Sequence, residues 1–460
     1  MMHQPPFDAA FVARMRDLLG GEYAAFEAAL VGAAPVAIRL HPRKRAPVLP
    51  EGDPVPWNAQ GRYLTSRPSF TLDPAFHAGA YYVQEASSMF VAEALRQTLR
   101  HDPATRPLLA LDLCAAPGGK STLLLDALPP DSLVVCNEAI KSRFAALEEN
   151  IEKWGYPNVA LTRADAAEFA GLEADLILVD APCSGEGMFR KDPRAIAEWS
   201  EEYAAFCALR QARILRDADA ALRPGGLLVY STCTYNPAEN EEMADMLIRE
   251  LDYEPLTLKI PATWGAVETR RGLRFYPHRL RGEGFFISAL RKKGEGGAGR
   301  GHATRHTRIE FKRLTPLNRA QRDTAASWLD APEDYAFYQT PNQQMLALPQ
   351  ALLPLYARLD ALVTEKRFGL EMGQIKGREL VPTHALALNL ALRAPIPRLS
   401  LDLGQALRFL RKEPLSVPHD APSGWTLAQY EELGLGWLKV LPNRANNYLP
   451  ASRRILMRAD

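Results

Sequence analysis

Two thiols stand at the ends of apolar runs. Cys183 lies in Asp180-Ala181-Pro182-Cys183-Ser184-Gly185, and Cys233 in Ser231-Thr232-Cys233-Thr234. A cysteine at the end of a buried strand is ordinarily an inert core residue, and Cys114, Cys136 and Cys207 are read that way. The other two have different surroundings. Asp180 and Cys183 share one proline-stiffened turn, and Cys233 follows Gly225-Gly226-Leu227-Leu228-Val229-Tyr230 on a neighbouring strand. A thiolate so placed, its pKa lowered by nearby donors or by Lys191, is a good nucleophile toward carbon.

Upstream, Leu111-Asp112-Leu113 runs into Cys114-Ala115-Ala116-Pro117-Gly118-Gly119-Lys120-Ser121, a strand, a loop and the start of a helix. The glycines let the backbone approach a ligand, and the helix start offers unpaired N–H groups to a carboxylate or phosphate. Gly119-Lys120-Ser121 imitates the end of a P-loop. Cys114, however, stands where the first glycine belongs, and Ala115 and Ala116 crowd the phosphate nest. A dinucleotide fingerprint fails for want of Gly-x-Gly spacing. Glu138, at the end of the second strand, can accept hydrogen bonds from both ribose hydroxyls of a nucleoside, or simply open a helix whose dipole favours an acid. Asp165, after the third strand, can take an adenine amino group or cap a helix. A Gly-rich cofactor loop and two thiols in one half of the chain point to a transferase that attacks its substrate covalently.

The elements that must position these groups alternate. Strands are expected at Leu108 to Leu113, Ser132 to Asn137, Val159 to Thr162, Asp175 to Asp180, Gly226 to Tyr230 and Phe285 to Leu290. Helices are expected at Lys120 to Ala127, Lys141 to Trp154 and Trp199 to Leu222. Short apolar strands alternating with helices make a parallel sheet covered on both faces. Ligands bind beyond the carboxyl ends of such strands, so the loops after Leu113, Asn137, Asp180 and Tyr230 share one cleft. Before this region, residues 7 to 31 read as helical with a break at Gly20-Gly21, and Tyr81 to Leu99 reads as a helix. After it, residues 291 to 308 carry no large apolar side chain and read as a linker or mobile loop. Phe311 to Asp460 holds enough apolar residues for a core of its own, ending in a small mixed or β-rich module.

The chain has 460 residues, 47% of them hydrophobic and 24% charged, a balance that fits a globular protein of two to four domains. Five cysteines, an odd count without close pairs, argue against a disulfide framework and against zinc, and for a reducing compartment. There is no signal-peptide pattern, and no apolar stretch approaches the roughly 18 residues of a membrane span. A cytoplasmic protein without membrane or metal is expected. Net charge is +1, so a nucleic acid would be held by local patches. Two stand out: Arg39, His41, Arg43, Lys44 and Arg45, and the stretch from Arg270 to Arg313 with thirteen Arg or Lys against three Glu. Each is equally readable as a solvated surface or linker. No helical pairing seam is visible, so a monomer is expected.

At this point the runs DLCAAPGGKST (112 to 122), NEAIKSRFAALEEN (137 to 150), DAPCSGEGMFRKDP (180 to 193), PGGLLVYSTCTYNPAENE (224 to 241) and PHRLRGEGFFIS (277 to 288) together resemble the Sun (Fmu) family of RNA cytosine carbon-5 methyltransferases. Within it they resemble the bacterial small-subunit ribosomal RNA branch. The resemblance covers residues 30 to 290, with a looser match in the tail at Gly436-Trp437 and Asn447-Tyr448.

It implies an α/β protein: a Rossmann-like methyltransferase domain (76–292) between an N-terminal α/β RNA-binding extension (1–75) and, past a basic Gly-rich linker (293–310), a C-terminal region with a PUA-like α+β module (311–460). It implies S-adenosylmethionine as cofactor and small-subunit ribosomal RNA, or its assembly intermediate, as partner. By the same resemblance, the loop Cys114, Ala115, Ala116, Pro117, Gly118, Gly119 and Lys120 holds the methionine part. Glu138 takes the ribose with Arg143 nearby, and Asp165 takes the adenine. Asp180 lies where cofactor meets target base, Cys233 is the nucleophile, Cys183 helps release the product, and Lys191 is the basic group near the base.

Other readings remain at this stage. One is a transfer RNA cytosine methyltransferase on the same scaffold. Another is a non-catalytic RNA-binding protein, against which both thiols and a complete loop speak. A third is a thiol hydrolase, which lacks a nearby base because no His lies between His101 and His278.

Overall fold

The computed structural model describes residues 7–45, 50–99, 107–294, 309–377, 379–415, 418 and 421–458. Among these, ten strands form one central sheet. Its parallel heart runs Val159–Thr162, Leu133–Asn137, Leu109–Asp112, Ala174–Asp180, Leu222–Thr232. The first three of these strands are buried at every position, as continuous apolar runs covered on both faces must be. Phe285–Lys292 adds antiparallel to Leu222–Thr232, followed by the hairpin Val267–Thr269 and Gly272–Phe275. The strand order reverses between Leu109–Asp112 and Ala174–Asp180, where an open α/β sheet leaves its ligand crevice. This is the expected doubly wound, Rossmann-like layer. Helix Lys141–Trp154 packs on it through Leu147, Ile151 and Trp154, and helix Glu201–Ala221 through Cys207, Ile214, Leu215 and Ala218.

The region before the sheet departs from expectation in one element. Tyr81 to Leu99 is not one helix. Tyr81–Val83 is a strand paired antiparallel to Val36–Leu40, a helical turn spans Ser87–Met89, and the helix is Phe90–Thr98. Tyr-Tyr-Val prefers a pleated surface, and strand Val36–Leu40 supplies one. With Asp53–Val55 and Asn58–Leu64 these strands form a four-stranded antiparallel sheet. Helices Ala9–Leu19 and Tyr23–Leu30, broken at Gly20 as expected, pack elsewhere. Their Phe11, Met15 and Phe26 join Phe189, Trp199, Tyr235 and Tyr276 of the loops around the thiols.

The apolar residues past 310 do not form one core of their own. Tyr338, Leu346, Tyr356, Leu359 and Phe368 join the core of the central sheet, whose edge is closed by strand Lys366–Phe368. Leu407, Phe409, Leu435 and Leu438 pack with Ile38 and Tyr81 of the N-terminal sheet. Only a third group, around Met345, Met372 and Trp437, is internal to the tail. The tail carries a five-stranded and a four-stranded sheet, the latter Arg398–Ser400, Gly424–Tyr430, Leu433–Leu441 and Arg444–Asn447. Of the expected linker, residues 295–308 lie outside the described residues.

Both basic patches are largely occupied within the protein. Arg39 is buried against Gln84, Thr122 and Asp126, and His41 against the Trp154 carbonyl. Arg270 and Arg271 pair with Asp245, Arg274 with Glu241, Arg279 with Glu22, and Lys292 with Asp219. Folding thus uses as internal counter-ions much of the charge that the sequence offered to phosphates. Among the described residues no helix is long and apolar enough to cross a membrane.

Candidate active site

The crevice is built from strand ends. Strand Leu109–Asp112 delivers the loop that begins at Cys114, and helix Gly119–Ala127 starts at Gly119. Gly118 has φ 110°, the left-handed region that favours glycine. Lys120, in the helix's first turn, places Nζ 2.7 Å from Asp180 Oδ2. Burial disfavours that ammonium, but the Asp180 charge and hydrogen bond outweigh it and leave the Lys120 pKa raised. The other Asp180 oxygen accepts from Ser231 Oγ at 2.8 Å. The residues opposite each other in the parallel ladder are Asp180 and Ser231. Two residues past Ser231 comes Cys233, and three past Asp180 comes Cys183.

The two sulfurs lie 3.2 Å apart, and both residues are partly exposed and free of disulfides. The Cys183 thiol is pushed well above its ordinary pKa, by its hydrogen bond to Cys233 and then by burial. The loops carrying them also meet through the backbone, where Gly187 N–H donates to the Cys233 carbonyl at 2.8 Å. A side chain at Gly187 would sit 2.9 Å from that oxygen and 2.5 Å from the Gly284 carbonyl, so only glycine permits the approach. Glu186, fully buried, pairs with Arg14 and accepts from Trp199 Nε1 and Tyr235 N, both at 3.0 Å. The N-terminal helices thereby brace the thiol loop from behind.

On the other side of the crevice, Arg143 donates to the Ala116 carbonyl at 2.6 Å and pairs with Glu138 at 3.4 Å. Among the described residues, Asp112 Oδ1 and Glu138 Oε2 are buried without a hydrogen-bond partner. Asp112 Oδ2 accepts from Ser121 Oγ at 2.6 Å, and burial pushes the Asp112 pKa up to about 7. Asp112 was not singled out in the sequence; its place as the last residue of the first strand was the available signal. An unbonded Asp112 oxygen and a Glu138 oxygen held only by the Arg143 ion pair, beside a glycine cradle, suit a ligand bearing an ammonium group and hydroxyls. Two expected residues have partners of their own. Asp165 caps the turn Ala166–Phe169 and lies 3.3 Å from Arg213. Lys191 pairs with Glu283 at 3.6 Å. No group of three or more His, Cys, Asp or Glu side chains among the described residues is arranged to hold a metal ion.

Comparison with known proteins agrees over most of the chain. Residues 100–291 match the family model of the 16S rRNA methyltransferase RsmB/F, residues 7–86 that of the N-terminal domain of 16S rRNA methyltransferase RsmF, and residues 397–455 that of the methyltransferase RsmF PUA domain. The chain is 30% identical over 413 residues to the ribosomal RNA small subunit methyltransferase F of Shewanella loihica, covering 86% of this chain and 83% of that one. It is 31% identical over 411 residues to the protein of the same name from Serratia proteamaculans, covering 86% and 84%. A methyltransferase homolog from Pyrococcus horikoshii superposes with TM-score 0.53 at 29% identity, covering 62% of this chain and 95% of that one. A crevice with two adjacent thiols, a sheet wound in this order and these matches together show that the chain belongs to the RsmB/F family of 16S rRNA methyltransferases.

Proposed function

We propose that the protein transfers a methyl group from S-adenosylmethionine to carbon-5 of cytosine in small-subunit ribosomal RNA, through a covalent bond between Cys233 and the base. The observation that carries this reading is the pair of sulfurs 3.2 Å apart at the rim that also holds Lys120 and Asp180. Cytosine carbon-5 is a weak nucleophile. Addition of the Cys233 thiolate at carbon-6 turns the ring into an enamine, splitting one hard step into two easier ones. When bound, S-adenosylmethionine would offer a sulfonium methyl to carbon-5, the S–C bond electrons leaving on the thioether sulfur. The carbon-5 proton then passes to a water molecule positioned by Cys183, and the electrons of that C–H bond restore the ring double bond as Cys233 departs as thiolate. Cys183, held protonated in the resting enzyme, is the neighbour that assists this release. Asp180, ion-paired with Lys120 and bonded by Ser231, accepts a hydrogen bond from the exocyclic amine of the base and so orients the ring for attack.

In this reading, residues Cys114 to Lys120 hold the methionine part of the cofactor, with Asp112 beside them. Glu138 and Arg143 hold the ribose and Asp165 the adenine edge, while Lys191 serves the base or its phosphate. The base leaves its stack to enter, so the RNA is locally single-stranded or remodelled. The N-terminal extension and the PUA-like region grip RNA on either side. A monomer acting in the cytoplasm, where ribosomal RNA is assembled, completes the proposal.

Cys233→Ala is expected to abolish methyl transfer while leaving cofactor binding intact. Cys183→Ala is expected to accumulate an enzyme–RNA adduct on a denaturing gel. Tritiated methyl incorporation, mapped to the modified base, tests the substrate. Label in transfer RNA alone would move the reading to that substrate, and normal turnover by Cys183→Ala without adduct would reject its role.

A further inference from the structure

Behind the two thiols lies a buried carboxylate that the chemistry above does not use. Glu239 ends the turn Pro237–Glu239, six residues past Cys233, and is fully buried. Its Oε1 accepts from the Ser184 backbone N–H at 2.8 Å and from Gln211 Nε2 at 3.1 Å. Its Oε2 accepts from Ser184 Oγ at 2.6 Å and Asn236 Nδ2 at 3.2 Å. Gln211, also fully buried, donates to the Pro182 carbonyl at 3.0 Å. Both chain neighbours of Cys183 are therefore tied to one Glu–Gln pair. Ser184 Oγ is also 2.9 Å from Thr234 Oγ1, so the residues that follow the two cysteines touch each other. The Glu239 carbonyl accepts from Tyr230 OH at 2.6 Å, which anchors the turn to the strand that leads to Cys233.

Four donors converge on one carboxylate. A buried carboxylate is costly unless it is fully hydrogen-bonded. A fold that needed only to fill this volume would do so more cheaply with apolar side chains. What the carboxylate adds is geometry: its four bonds reach the Cys183 loop, the Cys233 loop and helix Glu201–Ala221 at once.

We infer that Glu239 is a positioning residue that holds Cys183 against Cys233, and so governs release of the methylated base rather than attack upon it. This rests on the covalent reading proposed above. Glu239 bonds the residue after Cys183 directly, through both Ser184 N and Ser184 Oγ, whereas its links to the Cys233 side run through Asn236 and its own carbonyl. Cys183 thus depends on it more closely than Cys233 does. The Glu239 charge also adds to the hydrogen bond, the burial and the Cys233 charge that keep the Cys183 proton in place.

The test uses the full-length protein, small-subunit ribosomal RNA stripped of protein, and tritiated S-adenosylmethionine. Glu239→Gln keeps the volume but leaves one acceptor oxygen for four donors. Steady-state turnover is expected to fall about 10- to 100-fold, the scale set by misplacing a reacting group by about 1 Å. The first, single-turnover methyl transfer should stay within about threefold of the parent. The adduct should accumulate on a denaturing gel, as for Cys183→Ala. Ser184→Ala, which keeps the backbone bond and loses the hydroxyl, is expected to show the same split more weakly. Unchanged turnover, or an equal loss of single-turnover transfer and turnover in both variants, overturns the inference, since a merely structural defect would slow both. If Cys183→Ala itself forms no adduct while Glu239→Gln retains full activity, the covalent reading and the inference fall together. If Cys183→Ala forms adduct and Glu239→Gln does not, only the inference falls.

Discussion

Asp112 shows how one buried residue couples the sheet to the glycine loop that follows it. Its carboxyl is 1% exposed, bonded on one oxygen to Ser121 and unpartnered on the other. Burial raises its pKa to about 7, above the roughly 3.9 of an unfolded chain. The folded state therefore holds this proton more tightly. The stability it contributes is full below about pH 4 and is lost as pH rises through about 7. Asp112→Asn removes the slope. Relative to the parent, the variant should gain stability between pH 5 and pH 8, by on the order of 3 kcal/mol at most, as thermal melts without cofactor would measure. A parallel response of parent and variant would contradict it. The same residue marks a limit of sequence reading. Cys183, Cys233 and the Gly118-Gly119 loop were legible because their residue types are chemically unusual at strand ends. An aspartate at the end of a strand is not, and its significance comes from being buried.

At the scale of elements, the N-terminal sheet is a clamp on helix Gly119–Ala127. Arg39 crosses from strand Val36–Leu40 to Thr122 and Asp126 of helix Gly119–Ala127, with its guanidinium 4.6 Å from the Trp154 ring. Lys44 reaches the carbonyls of Ala78 and Lys153. Burial, then the charge of Lys153, pulls the Lys44 pKa down to about 7, and burial pulls Lys153 to about 8. Both values lie below the roughly 10.4 of an exposed lysine. The folded state thus releases protons that the unfolded chain would keep, so stability rises with pH and is lost as pH falls through 8 and 7. The melting temperature should climb between pH 7 and 9, and Lys44→Met should flatten the climb. A slope unchanged in the variant would place its origin elsewhere. The sequence marked Arg39 to Arg45 as a basic patch but not as a clamp, because charge is visible in one dimension and its counter-ions are not. The helix expected at Tyr81 to Leu99 failed for a similar reason: the strand that pulls Tyr81–Val83 away from it lies more than forty residues earlier.

For the whole molecule, the chain past residue 310 completes the catalytic sheet instead of hanging from it. Strand Lys366–Phe368 bonds the edge strand Val159–Thr162, and Tyr356, Leu359 and Phe368 bury themselves in the sheet's core. Each such side chain is worth roughly 1.5–3 kcal/mol of burial, and the uncovered edge would be open to other chains. A protein ending at residue 294 should therefore melt well below the parent or aggregate, as thermal melts and sedimentation would show. A monodisperse truncated form with the parent's melting temperature would mean the tail is dispensable to the sheet.

Composition and local pattern alone determined the alternating strands and helices, the glycine loop and the two thiols, because a buried parallel strand and a tight βα turn each demand particular residues within a few positions. Only the tertiary structure decided that the sulfurs meet at 3.2 Å, that Asp112 and Glu239 are buried, and that much of the charge in the two basic patches serves the fold. Those facts depend on groups far apart in the chain, and spacing along a sequence carries no distance across a fold.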